Sequence, residues 1–143
     1  MNPPRRTEPL WATAVHPVHA VLLAGAFPLF LGAALSDVAY GKTYQIQWTN
    51  FASWLIAGGL VFAGLALLWA LVDLVRPWRR AHGGVVYAVV MLALFVLGFV
   101  NALVHARDAW AVMPAGLVLS VVVTVLAAVA IALGLRAPAG DTP

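Results

Sequence analysis

Between Ala109 and Leu135 the chain reads AWAVMPAGLVLSVVVTVLAAVAIALGL, 27 residues without one charged side chain. About 20 apolar residues in helical form cross a hydrocarbon layer about 30 Å thick, so this run predicts a transmembrane helix long enough to tilt or to extend beyond the layer. Three further stretches follow the same rule. Pro17 to Tyr40 carries a single charge, Asp37, and Pro17 stands at a first-turn position. Pro28 falls inside that run, where a kink is expected. Phe51 to Val75 is apolar down to Asp73, and His82 to His105 is interrupted by one strongly polar residue, Asn101.

The expected architecture is an all-α integral membrane four-helix bundle, up-down-up-down. It is one domain over residues 13–137, with helices at 17–40, 51–75, 82–105 and 110–135, a polar cytoplasmic tail at 1–12 and a second tail at 138–143. Asp37 to Asn50 is expected to be the first loop and its interfacial belt. Arg5-Arg6 ahead of an apolar run has the outline of a signal peptide, and the first helix is read instead as a start-anchor that stays in the membrane.

Composition agrees. Of 143 residues 64% are hydrophobic and 9% charged, against roughly 45–50% and 25% in soluble domains. No extramembrane catalytic domain fits in the remaining loops. With no cysteine, disulfides, thiolate metal sites and covalent haem attachment are excluded, and histidine, carboxylate and backbone oxygen remain as strong ligands. The net charge of +3 comes from basic residues at helix ends, which argues for orientation in a lipid bilayer and not for nucleic acid. No phosphate loop, serine elbow, zinc-protease or dinucleotide motif occurs, so a stand-alone enzyme is not expected.

Ionisable groups within apolar runs cost about 2.5–3.5 kcal/mol each on insertion scales, which makes every one a candidate site. At one end lie His16, His19, Asp73 and His82. His16 and His19 are three apart and share a helical face, and His82 opens a helix parallel to theirs. These four could ligate a transition metal. Alternatively His19 and His82 could be the axial ligands of a haem b in an electron-transfer protein, with His16 in reserve and Arg79 and Arg80 beside the propionates. Plain interfacial or capping roles stand beside both readings, and His16 followed by Pro17 has the pattern of a cap.

At the other end Asp37, Asn101, His105 and Arg107 are expected to form a buried polar network that fixes helix register, with proton transfer as the functional alternative. His19 and Asp37 are 18 residues apart, five whole turns, and so face the same way. Trp54 and Trp69 lie within the second helix, where packing ranks ahead of stacking on a flat ligand.

The order of these motifs resembles a bacterial family of small four-helix membrane proteins, domain of unknown function 2231. The resemblance rests on His16-Pro17-x-His19, then Leu35-Ser36-Asp37-x-Ala39-Tyr40, a Gly/Ala-rich helix ending in Asp73, His82, and Asn101. It spans about Val15 to Arg107. Ala20 stands where many members carry a proline after the second histidine, and helix 1 has no third histidine. The resemblance implies an association with redox modules, which favours haem or electron transfer over a cofactor-free structural subunit. Four helices of this length bury little surface that is not lipid-facing, so a homo-oligomer or a complex with a redox-partner protein is expected.

Lysine and arginine fall six against two: Arg5, Arg6, Arg76, Arg79, Arg80 and Arg136 on one side, Lys42 and Arg107 on the other. This places both termini in the cytoplasm of a bacterial inner membrane. Lys42→Cys, in a chain with no native cysteine, should react with an impermeant maleimide only from the outer side; labelling from the cytoplasm would reverse the orientation.

Overall fold

The computed structural model describes residues 16–75 and 82–135, leaving the side chains of His82 and Gly83 outside the description together with the tails and the basic turn. Its helices are α1 Pro17–Thr43, α2 Ile46–Val75, α3 His82–His105, α4 Ala109–Val112 and α5 Ala115–Gly134. Four of them are long and apolar enough to span a membrane.

α1 and α2 extend further toward each other than the sequence suggests, because polar residues at the membrane surface do not stop a helix. Thr43 donates its hydroxyl to the Ala39 carbonyl at 2.8 Å. Tyr44 then closes α1 in the left-handed region at φ 54°, its N–H reaching the Tyr40 carbonyl. The expected loop at 37–50 therefore shrinks to Tyr44 and Gln45, and Asp37 lies fully buried within α1. At the other extreme the uncharged run 109–135 is two helices. Pro114 has no N–H to give and its ring obstructs the preceding turn, and Met113 before it is extended at φ −90°, ψ 143°.

Close pairs give the bundle its directions. Gly25 meets Phe62, Gly58 meets Leu29 and Gly32 meets Leu55, so α1 and α2 run antiparallel. Gly64 against Phe95 and Gly98 against Leu60 do the same for α2 and α3, and Gly134 against Tyr87 for α5 and α3. α2 and α5 each pack on both α1 and α3, so α1 and α3 face each other across the diagonal.

The centre is apolar. Leu23, Ala26, Phe30, Ile56, Met91, Leu94 and Val123 are at most 2% exposed. Phe30 sits on the axis, between Gly59 of α2 and Gly98 of α3, and the absence of side chains there lets the ring in. Small residues four apart assist this packing: Gly59 with Ala63 and Ala130 with Gly134 lie on packed faces, whereas Ala24, four residues from Ala20, faces outward.

A Cβ on Gly59 would lie 2.8 Å from the Phe30 ring, whereas one on Gly41 would meet nothing within 4 Å. Gly59→Ala should destabilise the bundle by about 1–3 kcal/mol, and Gly41→Ala should be neutral or stabilising. Denaturant unfolding in detergent checks both, and equal effects would count against this core.

Candidate functional site

Two polar groups interrupt the apolar core, one near each end, and both join α1 to α3 across the diagonal. At the end where α1 begins, Pro17 presets the first turn and His16 caps it, its Nδ1 accepting from the Val18 N–H at 3.3 Å. The His16 ring lies 4.7 Å from that of Trp69. One turn on, His19 is 6% exposed, its Nε2 2.8 Å from the Tyr87 hydroxyl. Trp69 also covers the His19 ring, at 6.0 Å. His19 Nδ1 is buried without a partner.

α5 packs closely against the Tyr87 side of this pair. A Cβ on Gly134 would fall 2.7 Å from Leu23 and 3.0 Å from Tyr87, so α5 closes over the contact only because residue 134 is glycine. Asp73 is half-buried at the same end. Arg79, Arg80 and the side chain of His82 lie outside the described residues, and among those described no three histidine or acidic side chains gather as a metal-ligand set.

The opposite end is built by α1, α3 and α5. Asp37 of α1 and His105 of α3 meet at 2.9 Å, Oδ1 to Nε2, with both side chains fully buried. The other ring nitrogen, Nδ1, lies 3.0 Å from the Asn101 carbonyl. If Nδ1 carries a proton it donates there, and Nε2 then accepts from a protonated Asp37; a proton on both nitrogens makes an imidazolium facing a carboxylate. Asn101 donates its amide to the Ser120 hydroxyl of α5 at 2.9 Å, and Thr124 donates to the Ser120 carbonyl at 2.7 Å. Gly116 lets α5 approach, since a Cβ there would come within 2.9 Å of the His105 ring and closer still to Val112. Thr49, 6% exposed, is the first buried residue of α2.

The structure thus brings together Asp37, Asn101 and His105 and adds Ser120. Arg107 stands apart: it is exposed, and among the described residues its guanidinium makes no hydrogen bond or ion pair. Trp54 is 74% exposed and faces outward, so it neither packs in the core nor forms a stacking wall. Tyr87 and Ser120 escaped notice in the sequence, yet both left a trace. Tyr87 precedes His105 by the same 18 residues that separate His19 from Asp37, and Ser120 shares a helical stripe with Val123, Ala127 and Ala130.

Removing one member of a buried ionisable pair strands the other. His105→Leu should therefore lower stability by about 3–5 kcal/mol, and the double variant Asp37→Leu, His105→Leu should recover most of that loss. Unfolding in detergent measures it; purely additive losses would mean the two side chains do not interact.

A search of curated proteins and of solved structures finds no match to this chain. The family model described as predicted membrane protein, DUF2231, matches residues 15–141, a span that includes the last helix as well as both polar ends. The chain belongs to this family of predicted membrane proteins.

Proposed function

We propose that the protein is a proton-exchanging membrane bundle, in which the Asp37–His105 pair takes up and returns a proton at one membrane face without passing it to the other. The observation that carries this reading is the pair itself, a carboxyl and an imidazole 2.9 Å apart, wholly buried. Holding α1 and α3 in register does not require an acid, because the uncharged hydroxyl and imidazole of Tyr87 and His19 make the equivalent contact at the other end. A carboxyl at this depth is costly to insert, and its distinguishing chemistry is proton exchange. Between the two ends the core of Phe30, Met91, Leu94 and Val123 offers no proton carrier, so exchange is one-sided.

The excess of lysine and arginine at the other end supports reading this pair as the outer-face end of a bundle in a bacterial inner membrane, with both termini cytoplasmic. Proton uptake at one face does work only when something else responds to it. The bundle is therefore read as a subunit, coupled to a second copy or to a redox-partner protein, and not as a stand-alone enzyme.

One observation favours a second reading. The buried, unpartnered His19 Nδ1 could serve a cofactor at the inner end. That cofactor would be a haem b shared with His82, His16 in reserve and Arg79 and Arg80 at its propionates, or a transition metal held by His16, His19, Asp73 and His82. The Tyr87 bond to Nε2 would then orient the ligand ring. The visible spectrum and metal content of protein from haem-replete cells separate the readings, since a colourless, metal-free sample removes the second.

For the first, infrared difference spectra in lipid nanodiscs should show a carboxyl change on titration that is lost in Asp37→Asn. Vesicles containing the protein should leak protons no faster than empty ones. A silent Asp37, or a protein-dependent leak, would overturn the one-sided exchanger.

A further inference from the structure

Both polar contacts across the diagonal join residues 68 apart, His19 to Tyr87 and Asp37 to His105. A third pair at that interval meets between them, since a Cβ on Gly98 would lie 3.6 Å from the Phe30 ring. Positions 19, 23, 26, 30, 33, 36 and 37 of α1 are buried, and so is each position 68 further on in α3. The two helices therefore turn matching faces toward one line at matching depths. α2 and α5 follow at nearly the same interval: Thr49, Ile56 and Ala63 are buried, and so are Gly116, Val123 and Ala130, each one residue short of that spacing.

Helical phase accounts for a shared inner face, but not for shared residues on the outer one. Val18, Val21 and Leu35 point outward from α1, and at the 68-residue interval Val86, Val89 and Leu103 point outward from α3. Phe27 and Leu29 recur in the same way as Phe95 and Leu97. The outward residues meet lipid, which accepts any apolar side chain, so their recurrence marks two copies of one pattern. Weak internal similarity of this kind accompanies membrane repeats related by an axis along the membrane normal.

Inside, the copies differ, and they differ where an axis demands it. On a two-fold axis each residue faces its own counterpart. Two identical hairpins would bring Phe30 onto Phe30, overfilling the centre, and would set Asp37 against Asp37, two acids that cannot both ionise. The chain instead has phenylalanine against glycine, acid against imidazole and imidazole against phenol. We propose that the bundle is a tandem repeat of one helical hairpin, α1–α2 and α3–α5, folded about an internal two-fold axis, and that the inner face of each hairpin is specific for the unlike hairpin and closed to a copy of itself. The repeat rests on packing alone and stands whether or not the acid–imidazole pair exchanges protons.

An axis makes counterparts exchangeable. Ala26 and Leu94 are a small and a large residue at the 68-residue interval, both in the core. Ala26→Leu overfills that layer and Leu94→Ala leaves a cavity in it, so each alone should lower the unfolding midpoint of the full chain in detergent. Together they return the same volume to the same place, and the double variant should regain most of the summed loss. Ala26→Leu combined with Val112→Ala, a cavity beside Gly116 at the far end, should show the full sum. The polar counterparts supply a second readout. In Asp37→His, His105→Asp, solid-state NMR in bilayers should show a through-space contact between the imidazole placed at 37 and the carboxyl placed at 105. An Ala26→Leu, Leu94→Ala protein that loses the full sum, or an exchanged acid–imidazole pair without that contact, would overturn the repeat.

Discussion

The hydrogen bond between Asp37 and His105, together with that between His19 and Tyr87, is the constraint on which the arrangement of the bundle depends. Lipid on the outside is as apolar as leucine, so burying hydrocarbon gives four apolar helices little reason to choose one rotation over another. A carboxyl does supply a reason, because only one depth and one rotation of α1 and α3 give it a partner. The second diagonal contact, His19 to Tyr87, has the same sequence separation of 68 residues. Two parallel helices pinned at both ends with one offset cannot slide or turn without breaking both bonds. α2 and α5 then fill the two remaining sides, and glycines at 25, 59, 116 and 134 set how closely they come.

The ends do different things with similar residues. Around His19 the ring is flanked by Trp69 and Tyr87, with a neutral contact and one unmet nitrogen. Around His105 the ring is held by an acid on one nitrogen and a carbonyl on the other. A Phe30-centred plug keeps the two apart, so a change of charge at one end reaches the other only through movement of whole helices.

Much of this was legible in the sequence because membrane crossing is governed by length and hydropathy, which need no tertiary information. The inward direction of His19 and Asp37 follows from their spacing, and the acid's link to α3 from the cost of leaving it alone. What escaped depends on contacts that spacing within one helix does not encode. Arg107 looked like a partner for Asp37 by charge, yet its place in the turn beyond α3 carries it to the surface. Tyr87 and Ser120 look like ordinary membrane-helix residues until another helix lies against them. Pro114 was hidden in an uncharged run, where hydropathy outweighed its effect on the backbone. The first loop is shorter than the polar stretch at 37–50 suggests, because polarity marks the end of the hydrocarbon and not the end of a helix.

The 68 residues between Asp37 and its partner are also an interval of time. A ribosome adding about 5–20 residues per second has the acid ready to enter the membrane several seconds before His105 exists. With only Tyr44 and Gln45 between them, α1 and α2 can enter as a hairpin, carrying an acid whose answering base has not been made. The carboxyl must cross that interval without its partner, and the arrival of α3 is what supplies the imidazole it meets. Docking of α3 is thus the step that completes the contact, and the order of synthesis decides when the buried pair first comes into being.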